Sequence, residues 1–242
     1  MSEANGARTG GSGVKTKAAR IIHAARAAGH KTLSEYDSKR VLKLYGVPTS
    51  KEVLVTSLAA AREAASRIGY PVVLKACSVD ATHKTELGLV AVGLGTGMEL
   101  ADAFRLLKKR VGPNYDGAWL VQEMVAGQRE VMIGMVRDAQ FGPSVMFGLG
   151  GIFTEVLQDV CFRVAPVRKR DALDMMTAIR AHRILDGVRG MKPVDRQVMA
   201  RSIMALGRIG LDFPEISEID VNPMIIRGSR PVAVDGLIVL DG

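Results

Sequence analysis

Glu218-Ile219-Asp220-Val221-Asn222-Pro223 is followed, thirteen residues after Asn222, by Asp235 in the run Val232-Ala233-Val234-Asp235-Gly236. If residues 216–222 run extended, side chains alternate between faces, so Glu218, Asp220 and Asn222 share one face and Ile219 and Val221 the other. One face is rich in oxygen and the other is apolar. The Gly228-Ser229-Arg230 turn suits a hairpin whose second arm, Pro231 to Leu240, lays Asp235 beside the acidic strand. Carboxylate and amide oxygens in this arrangement suit a hard divalent cation carrying phosphates, so the two acidic elements together look like a magnesium site. An isolated acidic strand is as often only a solvated sheet edge, and the rest of the chain must decide.

The chain is long enough, at 242 residues, for one large domain or two lobes, and two lobes are expected. Apolar runs such as Val53 to Val55 fall far short of the ~20 residues of a membrane span, and no charged-then-apolar leader opens the sequence. The expected location is the cytoplasm, without a membrane partner. Cys77 and Cys161 lie far apart, which indicates neither a disulfide framework nor a zinc site.

The net charge of +8 is unevenly spread: residues 1–31 hold six cations against Glu3 alone, a net +5. No aromatic and basic residues interleave as a base-stacking surface requires, so nucleic acid is not an expected partner. The Gly/Ser/Ala/Asn-rich stretch Met1 to Gly13 cannot build a core and is predicted to be disordered, with a short basic helix over 16–28.

Beyond this tail, helices and strands alternate. Ser34 can cap a helix that Gly46 and Pro48 stop, a strand Glu52 to Val55 follows, and an alanine-rich helix from Thr56 to Ile68 ends at Gly69. Val72-Val73-Leu74-Lys75-Ala76 reads as a buried strand, in which Lys75 must meet an anion, either an internal carboxylate or a ligand phosphate. A strand at 90–93, a helix near 99–111, a strand from Trp119 to Val125, and helices near 171–185 and 195–209 complete the pattern, the last with Asp195 as its cap. The run Phe141 to Glu155 sets a strand against a glycine-rich turn where bare backbone N–H groups can approach a polyphosphate, although it matches neither common nucleotide fingerprint.

Taken in order, Ser34-Glu35-Tyr36-Asp37-Ser38-Lys39, Tyr45-Gly46-Val47-Pro48, Pro71-Val72-Val73-Leu74-Lys75, His83-Lys84-Thr85-Glu86, Gln122-Glu123-Met124, Phe147-Gly148-Leu149-Gly150-Gly151-Ile152-Phe153 and Asp220-Val221-Asn222-Pro223 resemble a known family. It is the ATP-grasp β subunit of ADP-forming (NDP-forming) acyl-CoA synthetases, with the succinyl-CoA synthetase β chain a more distant relative. The resemblance covers about residues 20–240 and implies an α+β, ATP-grasp fold of two α/β lobes with the nucleotide between them. The boundaries it suggests are a tail at 1–30, an N-terminal lobe at 31–117 and a C-terminal lobe at 118–242.

The resemblance also implies roles. Lys75, and with it Lys39, would hold the phosphates of ATP or ADP; the strand Val121 to Val125 would be the hinge, offering Glu123 and backbone groups as far as Val125 to the adenine, with Glu130 towards the ribose. Mg2+ would be held by Asp220, Asn222 and Asp235, with Glu218 in an outer position, and Arg163 would face the phosphates. His83 would carry the phosphoryl group, accepting it from a phosphohistidine of a CoA-binding α subunit and passing it to ADP. The chain departs from the family at Leu87-Gly88, where a Gly-Gly pair is usual. No CoA-binding domain fits in the remaining length, so a hetero-oligomer is implied. Two rivals are a stand-alone ATP-grasp carboxylate ligase acting through an acyl phosphate and a non-catalytic nucleotide-sensing subunit.

Overall fold

The computed structural model describes residues 7–78, 88–151, 158–187 and 190–241. They form two compact units, residues 34–36 with 50–125 in the smaller, and the remainder, including 37–49 and 126–241, in the larger.

The smaller unit is a four-stranded antiparallel sheet in the order β1 (Glu52–Val55), β4 (Ala118–Glu123), β2 (Val72–Cys77), β3 (Val90–Leu94). Helices α3 (Leu58–Ile68) and α4 (Gly97–Val111) contribute Ala61, Ala64, Ala65, Leu100, Phe104 and Leu107 to a core shared with Val72, Leu74, Ala76, Trp119 and Val121. Ser57 caps α3 by accepting the Ala60 N–H, and Thr96 caps α4 by accepting that of Glu99, so both helices start where a side-chain oxygen can take an orphaned amide. The sequence reading put Ala118–Glu123 in the C-terminal lobe; it is instead an inner strand of this sheet, paired with β1 and β2. The chain passes to the larger unit after Val125.

In the larger unit β5 (Glu130–Asp138), β6 (Gly142–Leu149), β7 (Val160–Val164), β8 (Ile216–Arg227) and β10 (Leu237–Leu240) form an antiparallel sheet ordered β10-β8-β5-β6-β7, and β9 (Arg230–Ala233) pairs with β8. Its core joins Val131, Ile133, Met135, Val145, Phe147, Ile219 and Val221 to Met175 and Met176 of α5 (Lys169–Ala178) and Met199, Ile203 and Leu206 of α6 (Arg196–Asp212). Asp195 caps α6 as predicted, accepting the N–H groups of Gln197 and Val198.

The N-terminal helix α1 (Ala7–Ala27) reaches back into the stretch expected to be disordered, and Thr16 bonds the Ser12 carbonyl one turn earlier. Its apolar face, Ala18 and Ile22, lies in the larger core, and docking of that face lets the helix propagate through a glycine-rich start. The last helix of the smaller numbering, α2 (Glu35–Leu44), begins in the smaller unit and continues in the larger. Among the described residues, no helix is long and apolar enough to cross a membrane.

Candidate functional site

In the smaller unit the pleat of β2 decides the matter of Lys75. Val72, Leu74 and Ala76 face the helices, so Lys75 faces the other way, yet all six residues of the strand are buried. Of the two anions the sequence allowed, the structure supplies the internal one: Lys75 Nζ donates to Glu35 Oε1 at 2.7 Å, with both side chains almost fully buried. Gln122 lies opposite Val73 and so shares this face, and it too is buried. Sequence reasoning missed both Glu35 and Gln122. Alternation along β4 was the available signal for Gln122, because Trp119 and Val121 belong to the helix side.

Glu123 has the helix-side parity, opposite Val72, and its Oε1 accepts the Lys51 N–H at 2.9 Å. The Glu123 N–H in turn donates to the Lys51 carbonyl, and the Met124 N–H to that of Pro71. The end of β4 is thereby tied down just before the chain leaves this unit. Val125 is buried.

In the larger unit the acidic strand forms as its alternation requires. Ile219 and Val221 are buried in the core, Glu218 is exposed, and Asp220 and Asn222 are half-buried on the face away from α5 and α6. The β8–β9 turn brings Arg227 opposite Arg230, and the Val234 N–H donates to the Pro223 carbonyl, which sets Asp235 next to Asn222. The expected single arm from Pro231 to Leu240 is two strands, and Asp235 sits in the break between them.

Asp220 carries the electrostatic signature of this site. Its Oδ1 is buried without a hydrogen-bond partner. Burial first, and then the neighbouring carboxylates Glu218 and Asp235, push its pKa up from 3.8 to about 6. Such a group calls for a cation. Among the described residues no three His, Cys, Asp or Glu side chains assemble into a metal cluster. Magnesium keeps several waters and phosphate oxygens and takes only one or two protein carboxylates.

Lys39, expected at a phosphate, is fully buried, and its Nζ lies 3.4 Å from the Val234 carbonyl, next to Asp235. Glu130 begins β5, and its carbonyl accepts the Gly150 N–H at 3.1 Å. The glycine-rich turn serves the fold more than the sequence suggested. A Cβ on Gly150 would come within 2.7 Å of the Val131 backbone and one on Gly148 within 2.7 Å of the Asp159 carbonyl, so both glycines allow strands to approach. Its amides are used too: Leu149 donates to Asp159 O, Gly150 to Glu130 O, and Gly151 to Asn222 Oδ1 at 3.2 Å. The described part of the turn therefore orients Asn222, and the rest of it, 152–155, lies outside the described residues.

Arg163 lies away from the acidic strand. In β7 it lies opposite Val145, a residue of the helix-side core, whereas Asp220 lies opposite Gly134, which pairs with Met146 and so with Phe162. Arg163 and Asp220 are on opposite faces of the sheet, and the Arg163 guanidinium bonds the Phe162 carbonyl. Asp159 holds the amides of Arg180 and Ala181, a structural role. His83 lies outside the described residues.

An ATP-grasp domain family matches residues 24–240, and the chain belongs to it. The β subunit of ADP-forming acetate–CoA ligase I from Pyrococcus furiosus is 42% identical over 229 residues, 93% of this chain and 98% of that one. Within the ATP-grasp family, then, the chain groups with the β subunits of ADP-forming acyl-CoA synthetases, which are ligases. The ADP-forming acetate–CoA ligase I of Archaeoglobus fulgidus is 41% identical over 83% of this chain, which spans only 30% of that longer protein. An acetyl-coenzyme A synthetase 1 from Candidatus Korarchaeum cryptofilum was solved with coenzyme A and Mg-AMPPCP, its phosphohistidine segment pointing towards the nucleotide binding site. A chain of it superposes with a TM-score of 0.82 at 38% identity, over 93% of this chain and 100% of that one.

Proposed function

We propose that this chain is the nucleotide-handling β subunit of an ADP-forming acyl-CoA synthetase, catalysing with a CoA-binding α subunit the exchange of acyl-CoA, ADP and phosphate for acid, CoA and ATP. The observation that carries the reading is the unpartnered, buried oxygen of Asp220 beside Glu218 and Asp235, a concentration of negative charge that a phosphate-bound divalent cation neutralises. When bound, Mg2+ offsets charge on the phosphate oxygens as the phosphoryl group moves.

The chain's own residues do the rest. Asp220, Asn222 and Asp235 offer oxygen ligands, and the Gly151 amide keeps the Asn222 side chain in place. Lys75 and Lys39 supply positive charge for the phosphates, Glu123 and the backbone near Val125 address the base, and Glu130 the ribose. His83 takes the phosphoryl group: its P–N bond breaks as a terminal oxygen of ADP forms the new P–O bond, and the imidazole is returned neutral. The subunit works in the cytoplasm, in a hetero-oligomer.

The test is His83→Asn in the assembled complex with labelled ATP. The variant should bind nucleotide normally but no longer exchange label with the partner's phosphohistidine, seen as an acid-labile, base-stable phosphate. Near-normal overall turnover would mean that phosphate reaches ADP without this histidine. Robust acyl-CoA synthesis by the isolated chain would instead identify a stand-alone ligase.

A further inference from the structure

The excess positive charge of the N-terminal region is not among the groups proposed for the phosphate chemistry, and the fold gives it a place. Helix α1 uses Ala18 and Ile22 to dock on the core of the larger unit. A second stripe, Lys17, Arg20, Ile21 and Ala24, follows the i, i+3, i+4, i+7 spacing; Ile21 is half-buried against that core, and the other three are exposed. It runs beside Arg40, Lys43 and Leu44 of α2, and together the two stripes enclose an open trough of about 680 Å³. Four exposed cations, Lys17, Arg20, Arg40 and Lys43, stand along it against one acid, Asp37, which is already bonded to Arg40 at 2.8 Å. Ile21, Ala24 and Leu44 make an apolar floor.

We infer that this trough is the docking site for an acidic, amphipathic helix of the CoA-binding partner subunit. The inference rests on the proposed function for the partner's existence. Two helical walls, an apolar floor and cations spread along the rims are the features that receive a helix by its apolar face while its acidic flanks meet the rims. A small anion would need donors that are buried and converge on one point, whereas these four cations are exposed and distributed. From Lys17 to Ala24 the helix rises about 10 Å, so the trough matches roughly two turns of an occupant.

The test uses the full chain, its CoA-binding α subunit from the same organism, and Arg20→Glu/Lys43→Glu. The matched control is Lys108→Glu/Lys109→Glu, which makes the same change of net charge at a separate cationic cavity of the smaller unit. The trough variant should bind the α subunit at least tenfold more weakly by calorimetry, and the wild-type affinity should fall with added salt. The control should stay within twofold of wild type. Equal weakening in both variants, or unchanged binding in the trough variant, overturns the inference. Melting temperature and Mg-ADP affinity, unchanged in both, show that the fold is intact. A photocrosslinker on Ala24→Cys should capture an acidic helical segment of the α subunit, and capture of a basic or extended segment also overturns it. Loss of phosphohistidine exchange in His83→Asn is read separately: if exchange persists there while the trough variant fails to bind, the functional reading fails and the docking site stands.

Discussion

Asp220→Asn should stabilise the metal-free protein at neutral pH while weakening its hold on magnesium. In the folded chain the Asp220 carboxyl is raised from 3.8 to about 6 by burial and by Glu218 and Asp235. A carboxyl with a raised folded-state pKa opposes folding when it is ionised. The penalty is absent below the unfolded value, grows as pH climbs from about 4 to about 6, and is complete above that. At about 1.4 kcal/mol per tenfold displacement it amounts to roughly 3 kcal/mol at pH 7.5 and about 1 kcal/mol near pH 4.5. An asparagine cannot ionise and escapes it. For a chain of this size each kcal/mol moves the melting temperature by roughly 2–4 °C, so the variant should melt on the order of 6 °C higher at pH 7.5. Its advantage should shrink to about a third of that near pH 4.5. Thermal melts in chelator at the two pH values measure the difference, and calorimetry with Mg-ADP should show the opposite ranking of affinity. A variant that melts no higher than wild type at pH 7.5, or by the same margin at both pH values, would refute the claim that uncompensated charge burdens this strand.

Glu35→Gln leaves the buried ammonium of Lys75 beside a neutral amide and should cost about 3 kcal/mol in urea unfolding, much of it recovered in Glu35→Gln/Lys75→Met. Equal stability of wild type and single variant would mean that the pair contributes nothing. Gly150→Ala forces a methyl against the Val131 backbone and should destabilise by about 2 kcal/mol, measured by thermal melting. Arg163→Ala should leave Mg-ADP affinity within twofold, because the register puts Arg163 on the face away from Asp220. A tenfold loss would return it to the phosphates.

Local chemistry made part of this fold legible. The strand Glu52–Val55 begins and ends where the sequence puts it, and the acidic strand alternates between core and surface residue by residue. What failed depended on contacts distant in sequence. Strand β5 carries Val131-Met132-Ile133-Gly134-Met135, buried throughout, so it shows neither a period of two nor a helical stripe. The helix expected over 171–185 stops at Ala178 because the carboxylate of Asp159, some twenty residues earlier, takes the N–H groups of Arg180 and Ala181. The inner position of Ala118–Glu123 was illegible for the same reason: only its pairing with strands on either side says which unit owns it.

The site divides along the same line, and the division bears on how it works. Alternation was enough to put Asp220 and Asn222 on one face and Ile219 and Val221 on the other, because the pleat of a single strand is a local matter. The lysines were not a local matter. Lys75 meets Glu35 forty residues away and Lys39 reaches Val234 across 195, so each is held inside the protein before any nucleotide arrives. An ammonium left in water would have to be stripped and ordered by the phosphate itself, at the expense of affinity. Glu35 has already stabilised the buried charge of Lys75 and fixed its position, so in the proposed function a phosphate group would meet a donor that is oriented in advance. The same carboxylate would compete with the phosphate for that donor. On the proposed function, a buried pair of this kind would favour a phosphoryl group that can be released again over one that is held tightly, as a freely reversible exchange between ADP and ATP requires.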